Sequence, residues 1–335
     1  MRNIISDYAR LLRLPGLGGL STPPIFGAIS VGVYDFKSLA LLFILGAFST
    51  IYGFILNDVV DVEVDRLSKE LYNRPLVKGT ISKNIALGIC LLCVIGSFSI
   101  IFLFFYKDTL AFYIGILCLI GSCIAGTIYN LYGKRFIGSD LLVALAEGLL
   151  VLFGAYIVLQ DGSINILTWI IAILTFSQML YMNAIENGLK DSDHDYLKNV
   201  KNIALKLGVK VDKDKKLTTP LSFKTLGSGI KFFEAIVVFI PFIYYPNKYE
   251  LWNLVLLFIF VLLFLALIIR FITLKIFERN KIRKLIFAHA LIRYMVVPIM
   301  LIPFVGNTIA FILIILPFVW YAIFTNLIVE KLTDL

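Results

Sequence analysis

The sequence consists mainly of long apolar runs separated by polar stretches. The run from Leu251 to Leu274, for example, contains one charged residue, Arg270. About 20 apolar residues are enough for an α-helix to cross the hydrocarbon core of a membrane. A spanning segment must also satisfy its own backbone hydrogen bonds, which favours helices. With 60% hydrophobic residues and a mean hydropathy of +0.92, the chain is predicted to be an all-α, polytopic transmembrane helical bundle.

The apolar runs predict nine membrane spans, or ten if the last run is divided. After a short amphipathic lead at 1–15, which we expect at the membrane interface, the spans are predicted at 17–34, 38–56, 84–106, 110–128, 141–159, 164–184, 230–245 and 251–274. Beyond the basic connector at 279–284, Pro303 and Gly306 could split the remaining apolar residues in two. We expect one integral-membrane domain over 1–335, with the spans around a central cavity.

The basic residues predict the orientation of the chain. In a soluble protein, a net charge of +9 would suggest nucleic acid as a partner. Here we interpret it as the excess of Lys and Arg found in cytoplasmic loops, and we expect no nucleic-acid partner. The basic loops at 66–83, 129–139, 185–227 and 275–284 would then face the cytoplasm at the cell membrane. The lysine-rich part, 209–226, is predicted to be a solvated or lipid-facing segment.

A cluster of acids stands where the second span ends. Asn57, Asp61 and Asp65 recur every fourth residue, so a continuing helix would place them on one face, with Asp58 beside it. Carboxylates this close repel each other, whereas a bound divalent cation would make the arrangement favourable. Ligands that are all oxygen atoms favour a hard ion such as Mg²⁺.

The same spacing recurs at the end of the sixth span. Asn187, Asp191 and Asp195 repeat the pattern, with Glu186 and Asp193 nearby. We call the two sets the first and second acidic motifs. Their repetition predicts two metal-binding arms that face one another.

These residues resemble motifs of the UbiA superfamily of intramembrane prenyltransferases. The resemblance covers about residues 8–230, in the family's order. The family's NDxxDxxxD motif matches Asn57 to Asp65, and its DxxxD motif matches Asp191 to Asp195. Three further elements match. They are the segment from Arg74 to Ser82, a Tyr-x4-Lys pair at Tyr129 and Lys134, and the segment from Asn202 to Gly208, where the family usually has Thr in place of Asn202.

The resemblance implies Mg²⁺-dependent transfer of a polyprenyl group from a polyprenyl diphosphate to a lipophilic acceptor, with release of diphosphate. The active-site segments would be 57–83, 129–139 and 185–227. The implied metal ligands are Asn57, Asp58, Asp61, Asp65, Asn187, Asp191 and Asp195. The implied catalytic residues are Asp61, Asp191, Lys134 and Tyr129. The implied diphosphate-binding residues are Arg66, Arg74, Lys78, Lys134, Arg135 and Lys190.

The acceptor and a transport function stay open at this stage. The loop from Arg74 to Gly79 favours an aromatic or quinone precursor over the alternative, a geranylgeranylglyceryl phosphate of archaeal lipids. Intramembrane acids also build the ion pathways of transporters, although these acids lie at span ends. CDP-alcohol phosphotransfer would require a DGxxAR sequence, which the chain lacks. We interpret His289 and Arg293, near the start of the last apolar run, as residues at the membrane interface.

Overall fold

Helices dominate the computed structural model, which describes residues 2–66, 71–133, 135–160, 162–197 and 200–325. Within these ranges, eight helices are long and apolar enough to cross a membrane. The all-α, polytopic membrane fold is therefore confirmed, while the predicted count of nine is not. The difference from nine arises at the N-terminal end of the chain.

The first predicted span, 17–34, is not one helix. Helix α1 (Arg2–Leu11) is followed by α2 (Leu14–Leu20) and α3 (Pro23–Ser30). The chain breaks before Pro23-Pro24, which occupy the first turn of α3. Proline is tolerated there because the first N–H groups of a helix have no partner within the helix.

At the other end, the last apolar run, which the sequence allowed to be divided into two spans, forms the segment α16 (Arg279–Thr325), which contains a kink. Gly306 has φ 78° and ψ 166°, which is outside the helical range. Glycine is the residue that adopts a positive φ without steric cost. The division that Gly306 predicts is thus present as a kink within α16.

The other spans lie close to their predicted positions. Helix α4 runs over Phe36–Asp65, and the four-residue α5 over Pro75–Lys78. The remaining helices up to the second motif are α6 (Lys83–Ile100, extended by a π-helical turn at Ile101–Phe105), α7 (Leu110–Tyr132), α8 (Asp140–Val158) and α9 (Ile166–Tyr181, extended by a π-helical turn at Met182–Asn187). Next come α10 (Gly188–Lys190), α11 (Ser192–Leu197) and α12 (Ile203–Lys206).

The lysine-rich segment forms a short hairpin that the sequence did not predict. Strands β1 (Lys210–Val211) and β2 (Leu217–Thr218) pair antiparallel, and Lys216 bridges to Ile276. The next helix, α13 (Leu221–Val237), begins nine residues before the predicted span at 230. Ser222, Thr225 and Ser228 in its first turns are exposed, so this part of the helix resembles a polar loop in the sequence. It is followed by α14 (Ile240–Tyr244), a 3₁₀ turn (Pro246–Lys248) and α15 (Leu251–Ile272).

The described residues fall into two compact units. One lies within 1–131, 150–164 and 315–335, and the other within 132–149 and 165–314. In the first unit, α4 packs along α6, and a core that includes Leu11, Ile55 and Leu76 joins α1, α4 and α5. In the second unit, α9, α13 and α15 enclose a core that includes Tyr181 and Phe223. Each unit contains one acidic motif.

Candidate active site

The first acidic motif lies on the last two turns of α4. The helix continues to Asp65, so the prediction that the motif is helical is confirmed. Asp58, Asp61 and Asp65 are buried, with exposures of 5%, 8% and 4%, and Asn57 is half-buried. Buried carboxylates must be paired or must bind a cation, because desolvation of an isolated charge is costly.

Arg74 supplies the main counter-charge of the first motif. Its Nη1 donates to Asp58 Oδ1 at 3.1 Å and to Asp65 Oδ2 at 2.5 Å. Arg74 immediately precedes the short helix α5, which ends at Gly79 with φ 79°. Helix α5 packs against α4. This contact places Arg74, nine positions after Asp65, where it bridges two carboxylates of the motif.

Arg13 is a second partner of the first motif, and the sequence analysis did not identify it. Its Nη2 donates to Asp58 Oδ1 at 3.1 Å, and its guanidinium lies 5.0 Å from the centre of the Phe54 ring. Arg13 has a positive φ of 52° between α1 and α2. A non-glycine residue in this conformation is uncommon and worth functional attention. In the sequence, its position two residues before Pro15, at the end of the amphipathic lead, could have indicated a special role for Arg13.

Two other predicted diphosphate ligands pair with acids outside the first motif. Arg66 donates to Glu63 at 3.1 Å, and both side chains are exposed. Lys78 Nζ lies 3.8 Å from Asp7 of α1. Of Arg66, Arg74 and Lys78, Arg74 is therefore the one that forms an ion pair with the first motif.

The second acidic motif is helical but irregular. The π-helical turn Met182–Asn187 leads into α10, and Asp191 is a turn residue before α11. The backbone nevertheless connects the three motif residues directly. Asp191 N–H donates to the Asn187 carbonyl and Asp195 N–H to the Asp191 carbonyl, each at 2.9 Å. The fourth-residue spacing of the motif is thus kept across the break.

Each side chain of the second motif has a nearby polar partner. Lys190 Nζ donates to Asn187 Oδ1 at 3.0 Å and lies 3.4 Å from Asp191 Oδ2. Asn202 Nδ2 donates to Asp195 Oδ2 at 2.7 Å, while Asn202 Oδ1 caps α12 by accepting from Leu205 N–H. Lys190, predicted to bind diphosphate, is therefore placed beside the motif. Asn202, predicted as a family element, links the motif to α12.

The remaining predicted residues lie on or after α7. Tyr129 is half-buried on α7. The Arg135 guanidinium lies 5.5 Å from the centre of the Tyr132 ring. Lys134 lies outside the described residues, so its proposed role stays a prediction.

The donor set fits Mg²⁺ in chemistry, although the carboxylates are not gathered as a metal site. Among the described residues, no group of three or more Asp, Glu, His or Cys side chains has the geometry to hold a metal ion. Part of the reason is visible at the first motif, where Arg74 holds Asp58 and Asp65 in ion pairs. Both motifs offer carboxylate and amide oxygens, the ligand type that Mg²⁺ prefers. The residues therefore fit the ion, and their role as its ligands stays a prediction.

A buried charged cluster lies beside the second motif, and two of its members were predicted to lie at the membrane interface. His289 and Arg293 are 0% and 9% exposed and contact Glu186, so their interpretation as interfacial residues is wrong. Glu186 lies four residues before the end of the helical segment Ile166–Lys190, which is long and apolar enough to cross a membrane. A buried acid near the end of that helix provides the counter-charge that lets both basic groups enter the interior.

A family model described as the UbiA prenyltransferase family matches residues 21–292 of the chain. Among curated proteins, a digeranylgeranylglyceryl phosphate synthase of Saccharolobus solfataricus is 28% identical over 254 residues, which cover 71% of this chain and 84% of the relative. A protoheme IX farnesyltransferase of Protochlamydia amoebophila is 30% identical over 234 residues, covering 68% and 79%.

Solved structures of related proteins share the fold. A structure described as a digeranylgeranylglyceryl phosphate synthase in membranes has a TM-score of 0.66 at 19% identity, covering 91% of this chain and 99% of the other. A UbiA homologue of Archaeoglobus fulgidus bound to GPP and Mg²⁺ has a TM-score of 0.58 at 18% identity, covering 89% and 99%. That homologue binds Mg²⁺, the ion that the sequence predicts for this chain.

The match to the family model extends over most of the chain, and its position agrees with the motifs and the fold described above. The chain therefore belongs to the UbiA prenyltransferase family and is a multi-pass membrane enzyme that transfers prenyl groups.

Proposed function

We propose that this enzyme transfers a polyprenyl group from a polyprenyl diphosphate to a geranylgeranylglyceryl phosphate acceptor of archaeal lipids. The observation that carries this proposal is the match to the Saccharolobus synthase over 84% of that protein's length. It supports a phosphate-bearing acceptor better than the aromatic or quinone precursor that the Arg74–Gly79 loop favoured.

The charges at the first motif are consistent with a donor and an acceptor that both carry phosphate. Arg13 and Arg74 form ion pairs with Asp58 and Asp65. Bound Mg²⁺ would neutralise the diphosphate leaving group and polarise its oxygens. When the carboxylates serve as metal ligands, the two guanidinium groups become available for phosphate oxygens. Guanidinium groups match phosphate geometry through paired N–H donors.

The second motif, at the end of the helix that contains α9, would contribute further groups that bind the diphosphate. Asn187 and Asp191 would bind metal, and Lys190, which contacts both of them, would move its ammonium to the departing diphosphate. In the reaction, the acceptor hydroxyl oxygen bonds to C1 of the prenyl chain as the C1–O bond to diphosphate breaks. The diphosphate leaves with the bonding electron pair, and the hydroxyl proton passes to water or to the diphosphate.

The test uses the full-length protein purified in detergent. It is incubated with geranylgeranyl diphosphate, Mg²⁺ and one acceptor at a time: geranylgeranylglyceryl phosphate, an aromatic quinone precursor or protohaem. Product is identified by mass spectrometry, and diphosphate release is measured in parallel. Asp61→Asn and Asp191→Asn are compared with Glu63→Gln, a matched control because Glu63 is an exposed acid on the same helix as Asp61.

We expect product with geranylgeranylglyceryl phosphate, abolished by removal of Mg²⁺. Both aspartate variants should lose about 100-fold or more in kcat, the typical cost of removing one group that stabilises developing charge. The Glu63 variant should retain activity. Product with an aromatic acceptor or protohaem alone would refute the acceptor. Full activity in both aspartate variants would refute the metal-ligand assignment. The single domain, the cytoplasmic active-site segments and the cell-membrane location stay predictions.

A further inference from the structure

Three charged or titratable side chains form a buried cluster, which we call the Glu186 cluster. Glu186 Oε1 lies 2.8 Å from His289 Nδ1, and Glu186 Oε2 lies 3.4 Å from Arg293 Nη1. Glu186 and His289 are fully buried, and Arg293 is 9% exposed. His289 and Arg293 are four residues apart on α16 and therefore share one face of that helix. Glu186 immediately precedes Asn187, so its carboxylate connects α16 to the start of the second motif.

Glu186 lies within a π-helical turn, Met182–Asn187. A π-helical turn inserts an extra residue into the helical register, and such turns occur often at functional sites. One inserted residue rotates everything that follows by about 100°, the angle between successive residues of a helix. The turn therefore decides the direction in which Asn187 and Asp191 project from the end of α9. Fixing the Glu186 side chain fixes this turn.

The same helix holds the second motif at another point. Arg279, in the first turn of α16, donates to Asp193 Oδ1 at 2.6 Å. Arg279 and His289 are ten residues apart, or about 15 Å along the helix. Helix α16 therefore contacts the segment 186–193 both in the buried interior and near its outer end, on either side of Asn187 and Asp191.

The Glu186 cluster is not explained by stability alone. His289 Nε2 and the hydroxyl of the adjacent Tyr181 are buried and have no hydrogen-bond partner in the described part of the chain. Unpaired buried polar atoms cost free energy. Buried ion pairs are also, in general, no more stabilising than apolar residues of similar volume. Departures of this kind from optimal packing are expected where a site has to be held in place.

We propose that Glu186, His289 and Arg293 are positioning residues. They would fix the π-helical turn so that Asn187 and Asp191 hold Mg²⁺ and diphosphate in the geometry that transfer requires. The inference rests on the proposed function, in which Asn187 and Asp191 are metal ligands. It adds that the affinity of the second motif for metal depends on α16, which carries none of the implied metal ligands.

The experiment measures Mg²⁺ dependence without turnover, so the identity of the acceptor does not affect it. The purified protein is mixed with geranylgeranyl thiolodiphosphate, a slowly cleaved donor analogue, and titrated with Mg²⁺ while its thermal unfolding is followed. Glu186→Gln removes the central charge. The double variant Glu186→Gln/Arg293→Gln removes the pair without changing net charge. Ile268→Ala is the control, because Ile268 is a buried residue of the same core and is not part of the Glu186 cluster.

We expect both Glu186 variants to need about 10-fold more Mg²⁺ for half-maximal stabilisation, the lower end of the effect of losing a residue that orients metal ligands. The control should unfold at a lower temperature with an unchanged Mg²⁺ midpoint. Unchanged midpoints in the Glu186 variants, beside a normal wild-type response, would overturn the positioning role and leave the proposed function intact.

A wild-type protein that gave no Mg²⁺-dependent response to the analogue would overturn the metal assignment itself, and this inference with it. If both Glu186 variants fail to fold, Arg279→Gln tests the role of α16 with a change outside the buried interior. Arg279 makes the outer contact with Asp193, so its substitution should also raise the Mg²⁺ midpoint. An unchanged midpoint in a folded Arg279→Gln protein would then refute the role of α16.

Discussion

Arg74 offers the most direct test of how the first motif is kept folded without metal. Its guanidinium donates to Asp58 and Asp65, both of which are almost fully buried. A hydrogen bond to a charged group contributes about 1.5–3 kcal/mol. Because the Arg74 side chain is 30% exposed, the lower end applies, or about 3 kcal/mol for the two bonds. Arg74→Gln should therefore lower the free energy of unfolding by about 3 kcal/mol in the absence of divalent cations.

The expected shift in unfolding temperature follows from chain length. An unfolding entropy of about 2.1 cal/mol/K per residue over 335 residues gives about 0.7 kcal/mol/K in total, so the shift is about 4 °C. It would be measured by thermal denaturation in detergent, first in EDTA and then with millimolar Mg²⁺. If Mg²⁺ binds these carboxylates, the variant should bind it more tightly than the wild type, because the competing guanidinium is gone. The difference between the two proteins should therefore shrink as Mg²⁺ is added.

Arg66→Gln is the matched control for this measurement. Arg66 pairs with Glu63, and their side chains are 52% and 63% exposed. An exposed pair of this kind contributes at most about 1 kcal/mol, so the control should unfold within about 1 °C of the wild type in both buffers. A 4 °C difference for Arg74→Gln that stayed the same with and without Mg²⁺ would refute the idea that metal and guanidinium share Asp58 and Asp65.

Two further predictions concern the second unit. Lys231 and Glu234 form a buried ion pair on α13. Lys231→Met alone should lower the free energy of unfolding by about 3–5 kcal/mol, because it leaves a buried carboxylate unpaired. Adding Glu234→Met should restore most of this loss. Thermal denaturation of both variants would show whether the double variant regains stability. Replacing the exposed lysines of the β1–β2 hairpin by Gln should reduce the stabilisation that anionic lipid gives the detergent-purified protein, by about 1 kcal/mol per lysine. Lys248→Gln, in the turn between α14 and α15, should leave this stabilisation unchanged. Thermal denaturation with anionic and with zwitterionic lipid measures it, and equal effects of the two changes would refute a lipid-facing hairpin.

The sequence predicted those features that depend on segment length and composition. The length of the apolar runs located α6, α7, α8 and α15 to within a few residues, because a spanning helix must match the thickness of the membrane. The helical conformation of the first motif was also predicted correctly, because residues spaced by four lie on one face of a helix. Gly306 identified the kink in α16 because few other residues adopt a positive φ.

The features that the sequence did not predict depend on contacts between distant segments. Lys231 and Glu234 lie within a spanning helix, where charges are normally excluded, and only the fold shows that they neutralise each other. The partners of Glu186 are more than 100 residues away. Arg13 reaches the first motif through its positive φ and the break between α1 and α2, and neither can be read from local composition. The early start of α13 was missed because the exposed Ser222, Thr225 and Ser228 give its first turns the composition of a loop.

The two motifs share a spacing but differ in their counter-charges, and this difference has a physical consequence. At the first motif, guanidinium groups of Arg13 and Arg74 hold carboxylates that are nearly inaccessible to water. At the second, Asp191 is 39% exposed and lies beside the flexible ammonium of Lys190. Water can replace Lys190 as a partner of Asp191, whereas nothing can replace Arg74 except another cation. Loss of a counter-charge should therefore reduce stability at the first motif, while at the second, where the carboxylate is already hydrated, it should mainly weaken diphosphate binding.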